Sequence, residues 1–193
     1  MLLLMDLDGK GNQGACELDS HADTVVAGSN MVMLPNGDTK QRVTVSGYSP
    51  DLPVMENIPI ASCATAYSSP DTGEVFILVF HQALYFGKKL SHSFLCPNQM
   101  RNAGHVVNDT PRQYDDKSTH SIMVRDPDLN YNLNIPLMLQ GVISCFCSRQ
   151  PTTEELNPGN CEWITMTMDE PWDPTSTRFK SLEDELIPAT TMF

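Results

Sequence analysis

The chain has 193 residues, with 24 acidic against 12 basic side chains, 40% apolar residues and only 7% aromatics. That length supports one ordinary domain plus an extension, or two small domains, and a net charge of −12 excludes a sequence-independent grip on nucleic acid, which needs Lys and Arg to displace counterions from phosphates. The N-terminal apolar run, residues 1–5, is far below the roughly 20 residues of a membrane span, and Asp6 and Asp8 follow it where a secretory signal would continue apolar, so the expected location is the cytoplasm or nucleus, with no membrane partner.

In chain order, residues 1–14 read as a Gly-rich flexible leader. Asp6, Asp8, Gly11 and Glu17 have the spacing of a calcium loop, but Lys10 stands at a ligand position and no helix of adequate length can precede Asp6. No metal is therefore expected. From Ala15 on, apolar residues come in short β-branched runs, at 24–27, 42–45, 74–80, 121–124 and 163–167, separated by Pro, Gly, Asn, Asp and Ser. Many short strands with turn chemistry between them predict an all-β chain. Pro35-Asn36-Gly37-Asp38, Gly47-Tyr48-Ser49-Pro50 and Ser69-Pro70-Asp71-Thr72-Gly73 carry the turn signals. One short helix is expected over 97–103, which opens on Pro97 and ends before Gly104.

After about residue 111 the texture loosens. Residues 112–171 are expected as a β-rich extension, and 172–193, Pro-rich and acidic, as a disordered tail. Residues 151–193 alone hold nine acids and two bases, a net −7 against −5 for the rest. The six cysteines lack the C-x-x-C spacing of a structural zinc site. Cys145 and Cys147, two apart in an apolar segment, face the same side of a strand and read as buried thiols, and no disulfides are expected.

The segment that points to chemistry is Ala15-Cys16-Glu17-Leu18-Asp19-Ser20-His21-Ala22-Asp23-Thr24-Val25-Val26. A short strand delivers an Asp-Ser pair into a tight turn, after which an apolar strand resumes. Aspartic proteases place their catalytic carboxylate in this setting, because a rigid turn fixes the acid while the neighbouring hydroxyl orients it. The same residues also suit a plain capped turn, since Asp and Ser side chains bond their own backbone. Asp71-Thr72-Gly73 spells the protease triplet more literally, but Tyr67-Ser68-Ser69-Pro70 precedes it in place of an apolar strand, so it reads as a hairpin turn. Asp19 and Asp71 are also too close in sequence to head two separate lobes. One catalytic Asp per chain requires a dimer.

Glu17-Leu18-Asp19-Ser20-His21-Ala22-Asp23-Thr24 resembles the protease motif in Pol polyproteins of Copia-type LTR retrotransposons, where Leu-Asp-Ser-Gly-Ala is the commoner form. Val43-Thr44-Val45-Ser46-Gly47-Tyr48 is similar to that family's flap hairpin. Phe76-Ile77-Leu78-Val79 with Gln82-Ala83-Leu84-Tyr85 resembles its next strand, and the stretch 90–104 resembles its segment leading into a short helix. The ordered set covers 15–111.

The resemblance implies a retropepsin-like β-barrel over 15–111 and an aspartic endopeptidase active as a homodimer. Asp19 and Ser20 are then the catalytic residues, and His21, Ala22, Gly47 and Tyr48 contact substrate. The implied partners are a polypeptide, in the form of a Gag-Pol-like polyprotein, and a second copy of the chain. No cofactor is implied, and the implied location is the cytoplasm and virus-like particles. His21 stands where the family usually has Gly, and its side chain must either point away from the cleft or narrow it. The alternative is an inactive retropepsin-like domain kept for assembly or protein interaction.

Overall fold

The computed structural model describes residues 13–46, 51, 54–125 and 133–187. The chain is all-β. Its strands are β1 (Gln13–Leu18), β2 (Val26–Ala27), β3 (Val32–Val45), β4 (Met55–Ser68), β5 (Val75–Tyr85), β6 (Ser93–Leu95), β7 (Val106–Asn108), β8 (Ser121–Met123), β9 (Asn134–Pro136), β10 (Met138–Gln140), β11 (Ile143–Arg149) and β12 (Glu162–Thr165), with helices α1 (Pro97–Asn102) and α2 (Arg178–Leu186). Among the described residues, β7, β8 and β9 form a small antiparallel sheet and the other nine strands form one larger sheet, in the order β10-β11-β1-β6-β2-β5-β4-β3 with β12 beside β5. No helix among the described residues is long and apolar enough to cross a membrane.

The continuous apolar run of β5 is explained by its two covered faces. Phe76, Leu78, Phe80 and Ala83 point into the main core with Met31, Leu95, Met100, Phe146 and Ile164. Ile77 and Val79, on the other face, pack with Ala64, Ala66, Val32 and Leu156 in a second cluster. Alternate residues of a strand face opposite sides, so a strand covered on both must be apolar throughout.

The structure differs from expectation at Pro35-Asn36-Gly37-Asp38. These residues do not end a strand but lie within β3, whose register against β4 shifts between Met33 and Asp38 and again before Arg42. Asn36 (φ 61°) and Lys40 (φ 66°) take left-handed backbone there, and a Cβ at Gly37 would stand 2.6 Å from the Ser62 carbonyl oxygen. Turn chemistry was spent on bulges, which bend a long strand without terminating it. The helix at Pro97 forms as its sequence predicts, with Pro at its start and Gly104 in left-handed backbone (φ 93°) just past its end.

Strands from the stretch 112–171 join the larger sheet. β11 runs antiparallel along β1 from Gln13↔Arg149 to Glu17↔Cys145, and β12 runs parallel to β5. Residues 13 and 14, expected as the end of the leader, already belong to β1; residues 1–12 lie outside the described residues. In the expected disordered tail the structure places α2, while 188–193 lie outside the described residues.

After β11 the chain turns on an ion pair. The Arg149 guanidinium donates to both oxygens of Glu155, at 2.8 and 2.6 Å, and Glu155 also accepts from the Thr152 backbone N–H at 2.8 Å. These bonds hold the Glu155 carboxyl down at about 2. A carboxylate with a depressed folded-state pKa contributes stability that is present above its ordinary value of 4.5 and lost as pH falls toward about 2. Glu155→Gln is therefore expected to cost about 2 kcal/mol near neutral pH. In urea unfolding, the gap between wild type and variant closes as the solution is acidified through that window.

Candidate active site

The turn that carries Asp19 is built by three strands. β6 lies between β1 and β2, parallel to the first (Cys16↔Ser93, Glu17↔Phe94, Leu18↔Leu95) and antiparallel to the second (Val26↔Phe94). The chain between β1 and β2 must therefore cross over the end of β6, and Asp19 to Thr24 make that crossing. The Asp19 N–H donates to the Leu95 carbonyl at 3.0 Å, which carries the parallel ladder one residue past β1. Ala22 N–H donates to the Asp19 carbonyl at 3.1 Å and closes the turn. On the far side, Val25 is fully buried, and its carbonyl accepts from Leu84 N–H at 2.8 Å.

Within the turn, Asp19 is half-buried while Ser20 and His21 are exposed. One Asp19 oxygen, Oδ1, accepts from the His21 backbone N–H at 2.9 Å. The Ser20 hydroxyl lies 3.5 Å from His21 Nδ1. Asp19, Ser20, His21 and Ala22 thus stand on one turn, as the sequence places them. Gly47 and Tyr48 lie outside the described residues; the strands that flank them, β3 and β4, form a long antiparallel hairpin with Val45 opposite Met55. Asp71 sits apart from this turn, in the loop joining antiparallel β4 and β5, where Gly73 N–H donates to the Ser69 carbonyl.

Several residues that hold the turn carry no local sequence signal. Gln99, on α1 and almost fully buried, accepts from Val25 N–H through Oε1 at 2.9 Å, so the helix behind the turn fixes the returning strand. Gln99→Leu would leave that buried N–H unpaired at a cost of about 2 kcal/mol. A lowered urea midpoint with faster hydrogen exchange at Val25 is the expected result.

Beneath the turn, Asn30 is a buried hub. Its Nδ2 donates to Ser148 Oγ at 2.8 Å and Ala15 O at 3.2 Å, its Oδ1 accepts from Ser93 Oγ at 2.6 Å, and its carbonyl accepts from Thr65 Oγ1 at 2.8 Å. Ser93 Oγ in turn accepts from Gly28 N–H at 2.9 Å. One side chain thereby ties β1, β6, β11 and the start of β3 together, and such a fully satisfied buried network is rigid. Glu17, two residues before Asp19, is also buried. Its carboxyl is raised chiefly by burial and further by the Asp19 carboxylate, with His92 opposing.

A groove of about 840 Å³ opens beside the turn. It is lined by Ser20, His21, Ala22 and Asp23 of the turn, by Asn98, Arg101 and Asn102 of α1, and by Trp172, Phe179 and Glu183 of the C-terminal segment. Its volume falls in the range of ligand-binding clefts. A second arrangement, Ser62-His81-Asp169, looks like a hydrolytic triad but cannot act as one. Ser62 Oγ at 2.8 Å and Asp169 Oδ1 at 3.5 Å both approach the same ring nitrogen, Nδ1, whereas a triad base uses one nitrogen for each partner.

Comparison of the chain with protein-family models, with curated proteins and with solved structures gave no match.

Proposed function

We propose that the chain is an aspartic endopeptidase of retrotransposon type, built on a retropepsin-like barrel and working as a homodimer on polypeptides, a Gag-Pol-like polyprotein in its element of origin. The observation that carries this reading is the crossing of Asp19 over β6. It holds a half-buried carboxylate with an exposed neighbouring hydroxyl on a turn pinned from both sides.

Two Asp19 carboxylates meeting at a dyad cannot both ionise at about 3 Å separation. One then takes a proton from water while the other donates to the scissile carbonyl oxygen. Ser20 orients the pair, His21 and Ala22 border the extended substrate, and the β3–β4 hairpin with Gly47 and Tyr48 serves as the lid. The reaction calls on no metal or organic cofactor. The cytoplasm and assembled virus-like particles are the locations that fit this role.

A second reading, an inactive domain kept for assembly or protein interaction, is favoured by one specific contact set. Asp19 Oδ1 caps its own turn, and Ser20 Oγ lies toward the His21 ring, which is ordinary turn duty. Incubating a mixed peptide library with the purified chain and with Asp19→Asn separates the two readings. Cleavage by the wild type that disappears in the variant supports the protease, and equal products or none from both favour the inactive domain.

A further inference from the structure

Part of the groove's lining comes from the C-terminal segment, which is attached to the turn by a few specific contacts. Trp172 reaches back to the turn itself, its Nε1–H donating to the Asp23 carbonyl at 2.7 Å. The Phe179 ring leans on Trp172 with centroids 5.4 Å apart. Arg178 stacks 4.7 Å over Phe179 and reaches Asn102 Oδ1 on α1 at 3.4 Å. These contacts join the segment to both the turn and the helix behind it.

By itself α2 is a poor helix. It has nine residues, fewer than the roughly 12–15 that an isolated helix needs. Thr177 gives it no side-chain cap. Arg178 and Lys180 occupy its first turn and Glu183, Asp184 and Glu185 its last, the reverse of what the helix dipole favours. None of its residues is buried, and Leu182 and Leu186 are 56% and 79% exposed. The segment is held by its aromatic anchor, and elements with so few buried contacts open at little cost in free energy.

We propose that residues 172–186 are an intramolecular strap on the 20–23 turn, which excludes a second copy of the chain until Trp172 lets go. The proposal rests on the dyad reading. For two Asp19 side chains to meet, the partner must approach Ser20 and His21, and these residues already share their groove with Trp172 and Phe179. The strap and the second copy therefore compete for one face, and self-association reports the release of the strap.

The test uses the full chain as wild type, Trp172→Ala and Trp172→Phe, the last keeping a ring without the N–H. Sedimentation equilibrium gives the dimer dissociation constant, and hydrogen exchange reads the 20–24 amides. In Trp172→Ala the exchange is expected to rise and the dissociation constant to fall, each about ten-fold, with Trp172→Phe between the two. Unchanged exchange with unchanged association overturns the strap. A weaker dimer in Trp172→Ala overturns the competition, because Trp172 would then belong to the interface. Faster exchange with every form monomeric overturns the homodimer reading, and exclusion of a second copy falls with it.

Discussion

Asp19→Asn is expected to abolish the proposed peptide cleavage and to leave the fold in place, while Asp71→Asn is expected to cleave as the wild type does. The amide keeps an oxygen to accept from the His21 N–H at 2.9 Å, so the turn survives the exchange. What the variant loses is the ability to share and pass a proton, and loss of a positioned acid or base typically costs about 10²–10⁴-fold in rate. Asp71 lies in an exposed loop between β4 and β5, and no step of the proposed chemistry reaches it. The measurement is kcat/KM on one cleaved peptide for the three forms, with urea midpoints as the control on folding. Full activity in Asp19→Asn would refute the dyad.

Gly28→Ala is expected to cause the largest loss of stability among Gly→Ala changes at the described glycines. The new Cβ would stand 2.0 Å from the His92 carbonyl oxygen and 2.6 Å from its carbon. Both are backbone atoms at the entry to β6, so neither can swing aside as a side chain would. Relief requires β2 and β6 to part, which breaks the Gly28 N–H bond to Ser93 and loosens the Asn30 hub. Overpacking against backbone at such a point costs about 3 kcal/mol or more. Gly73→Ala is the matched control, with nothing within 4 Å of the added carbon and only the strain of φ 75°, about 1 kcal/mol. Urea unfolding of the two variants beside the wild type reads the difference, and equal midpoints would show that β2 and β6 separate freely.

Legibility in the sequence followed the range of the interaction. The strand run 74–80 and the helix after Pro97 were readable because burial pattern and terminal Pro and Gly are local properties. Asp19 and Ser20 were placed on a strand-end turn for the same reason. The partners were not readable: that β6 would slot between β1 and β2, or that β11 would lie along β1, depends on contacts tens of residues apart that leave no periodicity. Gln99 and Asn30 look like surface amides until a buried N–H or hydroxyl arrives from elsewhere. The tail is a different case. Its composition argued for disorder, and α2 is indeed weak in isolation, but Trp172 finds the Asp23 carbonyl and supplies tertiary support that composition does not register.

The placement of β1 between β6 and β11 has a consequence for the order of events during synthesis. Asp19 leaves the ribosome well before the Leu95 carbonyl that fixes its N–H, and Cys145 to Arg149, which close the other side of β1, emerge later still. Until then β1 has neither neighbour, and pairings of such long sequence separation form slowly. A nascent chain therefore exposes the Asp-Ser turn without its geometry and acquires it only when nearly all the described residues are outside the tunnel.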